Sequence, residues 1–208
     1  MQDSVSHAKK LKRKKDNRKL LSQSTLKNIL IPVSIIISVA LVDQLTKIWA
    51  VNNLSYHNPV EVIGSFLMFT LVYNEGGAMG TNLGSSTYYL IAASFILLFV
   101  LYYLYINRHN YYLSIPLSFI AGGAIGNLID RVAYGKVVDF IDVDFFNIDI
   151  FGFTLDRWWT FNIADSAVLC SIIFLLYMIV FKKMPEDKLV TDKTENSLEL
   201  KKKIEDDN

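Results

Sequence analysis

The segment "VVDFIDVDFF", residues 137–146, sets three carboxylates, Asp139, Asp142 and Asp144, among valine, isoleucine and phenylalanine. A fourth acid, Asp165, stands in "TFNIADSAV", three residues after Asn162. A further stretch, "GGAIGNLIDR" at 122–131, spaces Gly123, Asn127 and Asp130 at i, i+4 and i+7, which is one face of a helix. Two carboxyls brought together away from water cannot both ionise readily, so such a pair shares one proton across neutral pH. One member can then take a proton from water while the other polarises a carbonyl, which is peptide-bond hydrolysis by paired aspartates. The same residues admit other readings. Buried Asp and Asn also bind helices together or line an ion path, and closely spaced oxygen ligands suit Mg²⁺ or Ca²⁺. Asp142 and Asp144 lack the glycine turn and distal Glu of a calcium loop, so they are read as hydrated acids and no metal is assigned.

The elements that must position these acids are apolar. The chain has 208 residues, 52% of them hydrophobic and 13% aromatic, and the apolar residues come in runs of membrane length. Residues 87–106 carry no charge, 161–181 carry only Asp165, 28–50 carry Asp43 and Lys47 near their end, and 111–129 are uncharged but contain Pro116 and three glycines. Each run is long enough for a hydrocarbon layer of about 30 Å. The expected fold is an all-α membrane protein with four transmembrane helices, at about 28–50, 87–106, 111–131 and 161–181, within a domain spanning 28–183. The first run is kept as a span, since it ends in "VDQLTK" without a small-residue cleavage pattern.

The net charge of +1 hides an uneven distribution. Lys9, Lys10, Lys12, Arg13, Lys14, Lys15, Arg18, Lys19 and Lys27 precede the first span, Arg108 lies between the second and third, and Lys182 and Lys183 follow the fourth, whereas 51–86 contain no Lys or Arg. The excess of basic residues places both termini in the cytoplasm and the loops 51–86 and 132–160 outside. The charged stretches 1–27 and 184–208 read as solvated tails, and the basic start is assigned to anionic lipid, not nucleic acid. Cys170 is the only cysteine, and topology separates His7, His57 and His109, so neither a disulfide nor a His-based zinc or catalytic site is expected. Residues 60–73 mix β-branched and aromatic side chains around Gly64, which suggests a short outer sheet. Trp158 and Trp159 read as an interfacial belt before the last span. Gly122 and Gly126 form a small-xxx-small pair suited to close helix packing.

Spans three and four run in opposite directions, so the end of one and the start of the other share a leaflet. Thr160 is the expected cap of the fourth helix, with Asp165 about one turn, ~6 Å, below its entry. Asp139 follows the third span after a turn containing Gly135, and can fold back to Asp165. A transporter usually keeps its polar groups near the midplane, whereas Asn127, Asp130, Asp139, Asn162 and Asp165 crowd the outer boundary. A transport or lipid-binding protein using this acidic rim remains the alternative from another class.

"VDQLTK" (42–47), "NEGGAMG" (74–80), "GGAIGNLIDR" (122–131), "GKVVDFID" (135–142) and "FNIADSAV" (161–168) together resemble the motifs, in order, of the lipoprotein signal peptidases, the type II signal peptidases of bacteria, over about residues 29–182. The resemblance implies a multi-pass enzyme of the cytoplasmic (inner) membrane with its site on the extracytoplasmic side and an outer β-cradle. It also implies an aspartyl endopeptidase that removes signal peptides from prolipoproteins, cutting before a diacylglyceryl-modified cysteine. Asp139 and Asp165 fall on the family dyad. Asn74, Gly76, Gly123, Asn127, Asp130, Arg131 and Asn162 fall on positions that orient the dyad or hold substrate, and Asp43 and Lys47 on positions that stabilise the helices. No cofactor is implied; the implied partners are the lipidated prolipoprotein and membrane lipid, with a monomeric state and the cyclic peptide globomycin as inhibitor. The chain departs from the common pattern at Gly77, Ala78 and Met79 and in the aromatic insert 145–159, whose role the motifs do not define.

Overall fold

The structure, a computed structural model, describes the backbone of residues 2–77, 86–144, 148–150, 153–155 and 159–181, and the side chains of 26–77, 86–144 and 159–181. Among the described residues there are four helices: α1 (Gln2–Asn53), α2 (Ser86–Ile106), α3 (Tyr111–Tyr134) and α4 (Ile163–Phe181). The portion Leu26–Asn53 of α1, and all of α2, α3 and α4, are long and apolar enough to cross a membrane. The shortest, at 19 residues, reaches about 28 Å. On α2, Phe95, Leu98 and Phe99 are each more than 60% exposed, an apolar surface that suits contact with lipid. The backbone of 2–27, expected as a solvated tail, continues α1 without a break. No glycine or proline interrupts that stretch, and its Lys, Arg and Leu residues favour helix.

The chain to Ile172 forms one unit, and the described residues beyond it complete α4. Within that unit α3 is the most buried helix, packed against both α1 and α2. Its glycines make the approach possible. A Cβ at Gly122 would lie 2.8 Å from the Val39 Cβ, and one at Gly126 would lie 2.4 Å from Asp43 Oδ2. One at Gly123 would meet the Ala164 carbonyl oxygen at 2.6 Å and Val168 Cγ2 at 2.9 Å. The small residues of α3 therefore serve close packing, as their spacing predicts, and leave no vacant groove beside them. α1 and α4 already fill that space.

α3 ends at Gly135, whose φ of 71° is left-handed and whose N–H bonds back to the Arg131 carbonyl. This reversal launches β3 (Val137–Val143), the third strand of an antiparallel sheet with β1 (Val60–Ile63) and β2 (Leu67–Asn74) in the order β1-β2-β3. β1 and β2 fall where the sequence predicts a sheet, with Gly64 at φ 50° in the turn between them. β3 lies in what reads as an outer loop, because its residues are covered on both faces and show no alternation of apolar and polar side chains. The pairing of β2 with β3 contains a bulge: Phe69 opposes Ile141, yet Val72 opposes Asp139, so Thr70 and Leu71 face one residue. Trp49 on α1 stacks edge-on with Phe69 at 5.4 Å and Phe140 at 6.3 Å, fastening the sheet to the end of α1. β4 (Ile148–Ile150) and β5 (Phe153–Leu155) form a separate hairpin inside the aromatic insert. Trp158 and the glycine-rich residues 78–85 lie outside the described residues.

Because the Gly123 position already touches backbone, Gly123→Ala should separate α3 from α4 and cost about 1–3 kcal/mol through overpacking. Thermal unfolding of the purified protein in detergent will show this as a lowered Tm.

Candidate active site

Asn162, not Thr160, caps α4. Its side-chain oxygen accepts from the Asp165 N–H at 2.9 Å, and Asp165 Oδ2 accepts from the Asn162 N–H at 3.2 Å. This reciprocal pair is a capping box built with Asn and Asp, and it places Asp165 at the third position of the helix. With its oxygen committed to the cap, the Asn162 amide nitrogen points the other way. It donates to Asp139 Oδ1 at 2.8 Å and to Asn127 Oδ1 at 3.0 Å. One asparagine therefore touches both acids, through its side chain and its backbone.

Asp139 is 2% exposed on β3. Its second oxygen accepts from Asn74 Nδ2 at 3.1 Å, across the strand pair that the bulge brings into register. The Asn74 oxygen is itself held by the Gly76 N–H at 2.9 Å, and the Gly76 carbonyl accepts from Arg131 at 3.0 Å. Asp165 Oδ1 accepts from Asn127 Nδ2 at 2.8 Å. The Arg131 guanidinium interacts electrostatically with both Asp139 and Asp165. Burial pushes the Asp139 carboxyl up to about 7, and the charge of Asp165 adds to the rise; donation from Asn74 and Asn162 and the Lys47 charge pull the other way.

Next to the acids lies a buried ionic cluster. Lys47, 2% exposed, reaches Asp43 Oδ2 at 2.8 Å, Asp130 Oδ2 at 2.9 Å and Asn127 Oδ1 at 2.9 Å. Asp43 also accepts the Ala164 N–H at 2.9 Å, where the first turn of α4 presents unsatisfied donors. Asp130 accepts the Val138 N–H at 3.0 Å and the Gln44 amide at 2.8 Å. The cluster therefore joins α1, α3, β3 and the start of α4. Between Asp43 and Asp130 the ammonium takes the place a cation would need, so these carboxylates are not free to hold a metal.

The structure thus brings Asn74, Gly76, Asn127, Arg131 and Asn162 around Asp139 and Asp165, with Asp43, Lys47 and Asp130 adjoining them. Gly123 stands apart, as a packing contact of α4. Asp142, read from the sequence as hydrated, is buried and accepts from the Thr70 hydroxyl at 2.9 Å. The β3 pairing decides this, since it turns Asp142 toward β2. Gln44, within "VDQLTK", joins the cluster as well: its amide links Asp130 and the Gly126 carbonyl, 3.0 Å away.

Four membrane-length helices and two acids sharing one asparagine define a multi-pass membrane protein with a paired-carboxylate centre. Residues 35–181 match the family model described as signal peptidase (SPase) II. The lipoprotein signal peptidase of Clostridium tetani is 36% identical over 160 residues, 76% of this chain and 97% of the relative. That of Staphylococcus aureus is 36% identical over 158 residues, 74% and 91% of the two chains. A solved structure described as a bacterial membrane enzyme superposes with a TM-score of 0.63 at 32% identity, covering 74% of this chain and 96% of that one. A second superposes at 0.62 with 34% identity, covering 76% and 94%. The chain belongs to the signal peptidase II family and is a peptidase; the comparisons give no support to the transport alternative.

Removing one partner from a buried ionic cluster leaves uncompensated charge. Asp43→Ala, which also strips the Ala164 N–H of its acceptor, should lower the unfolding free energy by about 3–5 kcal/mol. Denaturant titration in detergent micelles will measure it.

Proposed function

We propose that Asp139 and Asp165 are the catalytic pair with which this signal peptidase II removes the signal peptide from diacylglyceryl-modified prolipoproteins, cutting before the lipidated cysteine. The single observation that carries the assignment is Asn162, which binds Asp139 through its side chain and Asp165 through its backbone. Asp139 holds the shared proton up to near neutral pH, because burial and the neighbouring Asp165 charge raise its carboxyl to about 7. Asp165 then takes a proton from water as the water attacks the scissile carbonyl carbon, while the Asp139 hydroxyl donates to the carbonyl oxygen. The tetrahedral diol collapses as Asp165 passes its proton to the departing amine and a diol hydroxyl returns one to Asp139, and the C–N bond breaks without a covalent enzyme intermediate. No cofactor takes part in these steps.

The same reading places the sheet end of the helices outside the cytoplasmic membrane, supported by the basic residues before α1 and after α4. Acyl chains of the substrate stay in lipid while its cysteine region enters at the rim. The enzyme acts as a monomer, since both acids and their donors come from one chain, and globomycin competes with the precursor for this site.

Asp139→Asn and Asp165→Asn should each reduce cleavage of a lipidated precursor by about 10²–10⁴-fold while the protein still inserts in membranes. Normal processing by either variant in a gel-shift assay sinks the assignment. Asn74→Ala removes a donor that favours ionised Asp139, so the Asp139 pKa should rise above about 7. The alkaline limb of kcat/KM, where the shared proton is lost, should move to higher pH, as a pH–rate profile will show.

A further inference from the structure

An asparagine amide fits most sites either way round, and its neighbours decide which end meets a carboxylate. Three asparagines present their nitrogen to the two acids here, and each has its oxygen held by a donor. Backbone N–H groups hold two of them: Gly76 for Asn74 and Asp165 for Asn162. For Asn127 a buried side chain does so, the Lys47 ammonium at 2.9 Å. An ammonium has three hydrogens and no acceptor, so it can face only the Asn127 oxygen. The nitrogen is thereby directed at Asp165 Oδ1, 2.8 Å away. The Asn162 amide, which also donates to the Asn127 oxygen, is fixed by the α4 cap and reinforces the same orientation. Lys47 is in turn held by Asp43 and Asp130, one from its own helix and one from α3.

We propose that Lys47 is a positioning residue for the reaction, acting through the orientation of Asn127 on Asp165 in addition to joining helices. This rests on the assignment of Asp139 and Asp165 as the catalytic pair. Without the ammonium, the Asn127 amide can turn and set its oxygen against the Asp165 carboxylate, so the acid loses a donor and gains a repulsive neighbour. Lys47 has its three hydrogens occupied by Asp43, Asp130 and Asn127, so it has none left for the peptide. Its loss should therefore act on kcat and leave KM near the wild-type value.

The test is a double-mutant cycle of Lys47→Met and Asn127→Ala, with kcat and KM measured on a lipidated precursor and rates normalised to folded protein from thermal unfolding. Each single variant should lose about 10- to 100-fold in kcat, the worth of one hydrogen bond to a charged group. If Lys47 works through Asn127, the double variant should lose no more than the worse single one, within about threefold. Losses that multiply overturn the proposal, as does wild-type kcat in Lys47→Met or an effect confined to KM. Should Lys47→Met not fold with both acids left unpaired, the cycle is run in an Asp130→Asn background, where the same outcomes decide. The dyad assignment fails separately, through activity in Asp139→Asn or Asp165→Asn.

Discussion

Two carboxyls, Asp139 buried and Asp165 half-buried, are held by amides that all face the same way. Asn74, Asn127 and Asn162 each surrender an oxygen to a fixed donor and turn their nitrogens to Asp139 or Asp165. Neutral donors suit this task. A cation placed directly on each acid would favour full ionisation of the pair, whereas amides stabilise charge without removing the chance of sharing a proton. The rise of Asp139 to about 7 is the balance of burial and the Asp165 charge against such donors.

Holding three amides in place requires four segments that are far apart in sequence, and the cluster around Lys47 supplies the joint. In lipid there is little hydrophobic drive between helices, so close packing and polar contacts must associate them. Gly122 and Gly126 let α1 come within contact of the α3 backbone, and Gly123 does the same for α4. Only at that separation can Asp43 on α1 reach the first turn of α4. Each glycine costs the helix about 1 kcal/mol relative to alanine, which the packing and the ionic contacts offset. The same acids that tie the helices also fix β3, through the Asp130 contact with the Val138 N–H.

The sheet belongs to the site as much as the helices do. β3 leaves α3 through the left-handed Gly135, so the acid-bearing strand is anchored within five residues of the helix end. The bulge in β2 then aligns Asn74 with Asp139 and sends Asp142 to Thr70. Of the two carboxylates on this short strand, register decides that Asp139 enters the site and Asp142 does not, because a shift of one residue exchanges the faces.

Apolar runs of membrane length, the asymmetry of basic residues and the small residues of 122–126 are local properties, and the sequence by itself determined from them four helices, their order and a close-packed third span. It also marked Asp139 and Asp165 as candidates, since an acid within an apolar run is costly wherever it folds. The third strand, the burial of Asp142, the cap at Asn162 and the linking role of Gln44 were decided only by tertiary structure. Each depends on strand register or on a partner from a distant segment. Which end of an asparagine meets a carboxylate is likewise absent from residue type or spacing, for the two ends are nearly the same shape and only the donor packed against the oxygen tells them apart.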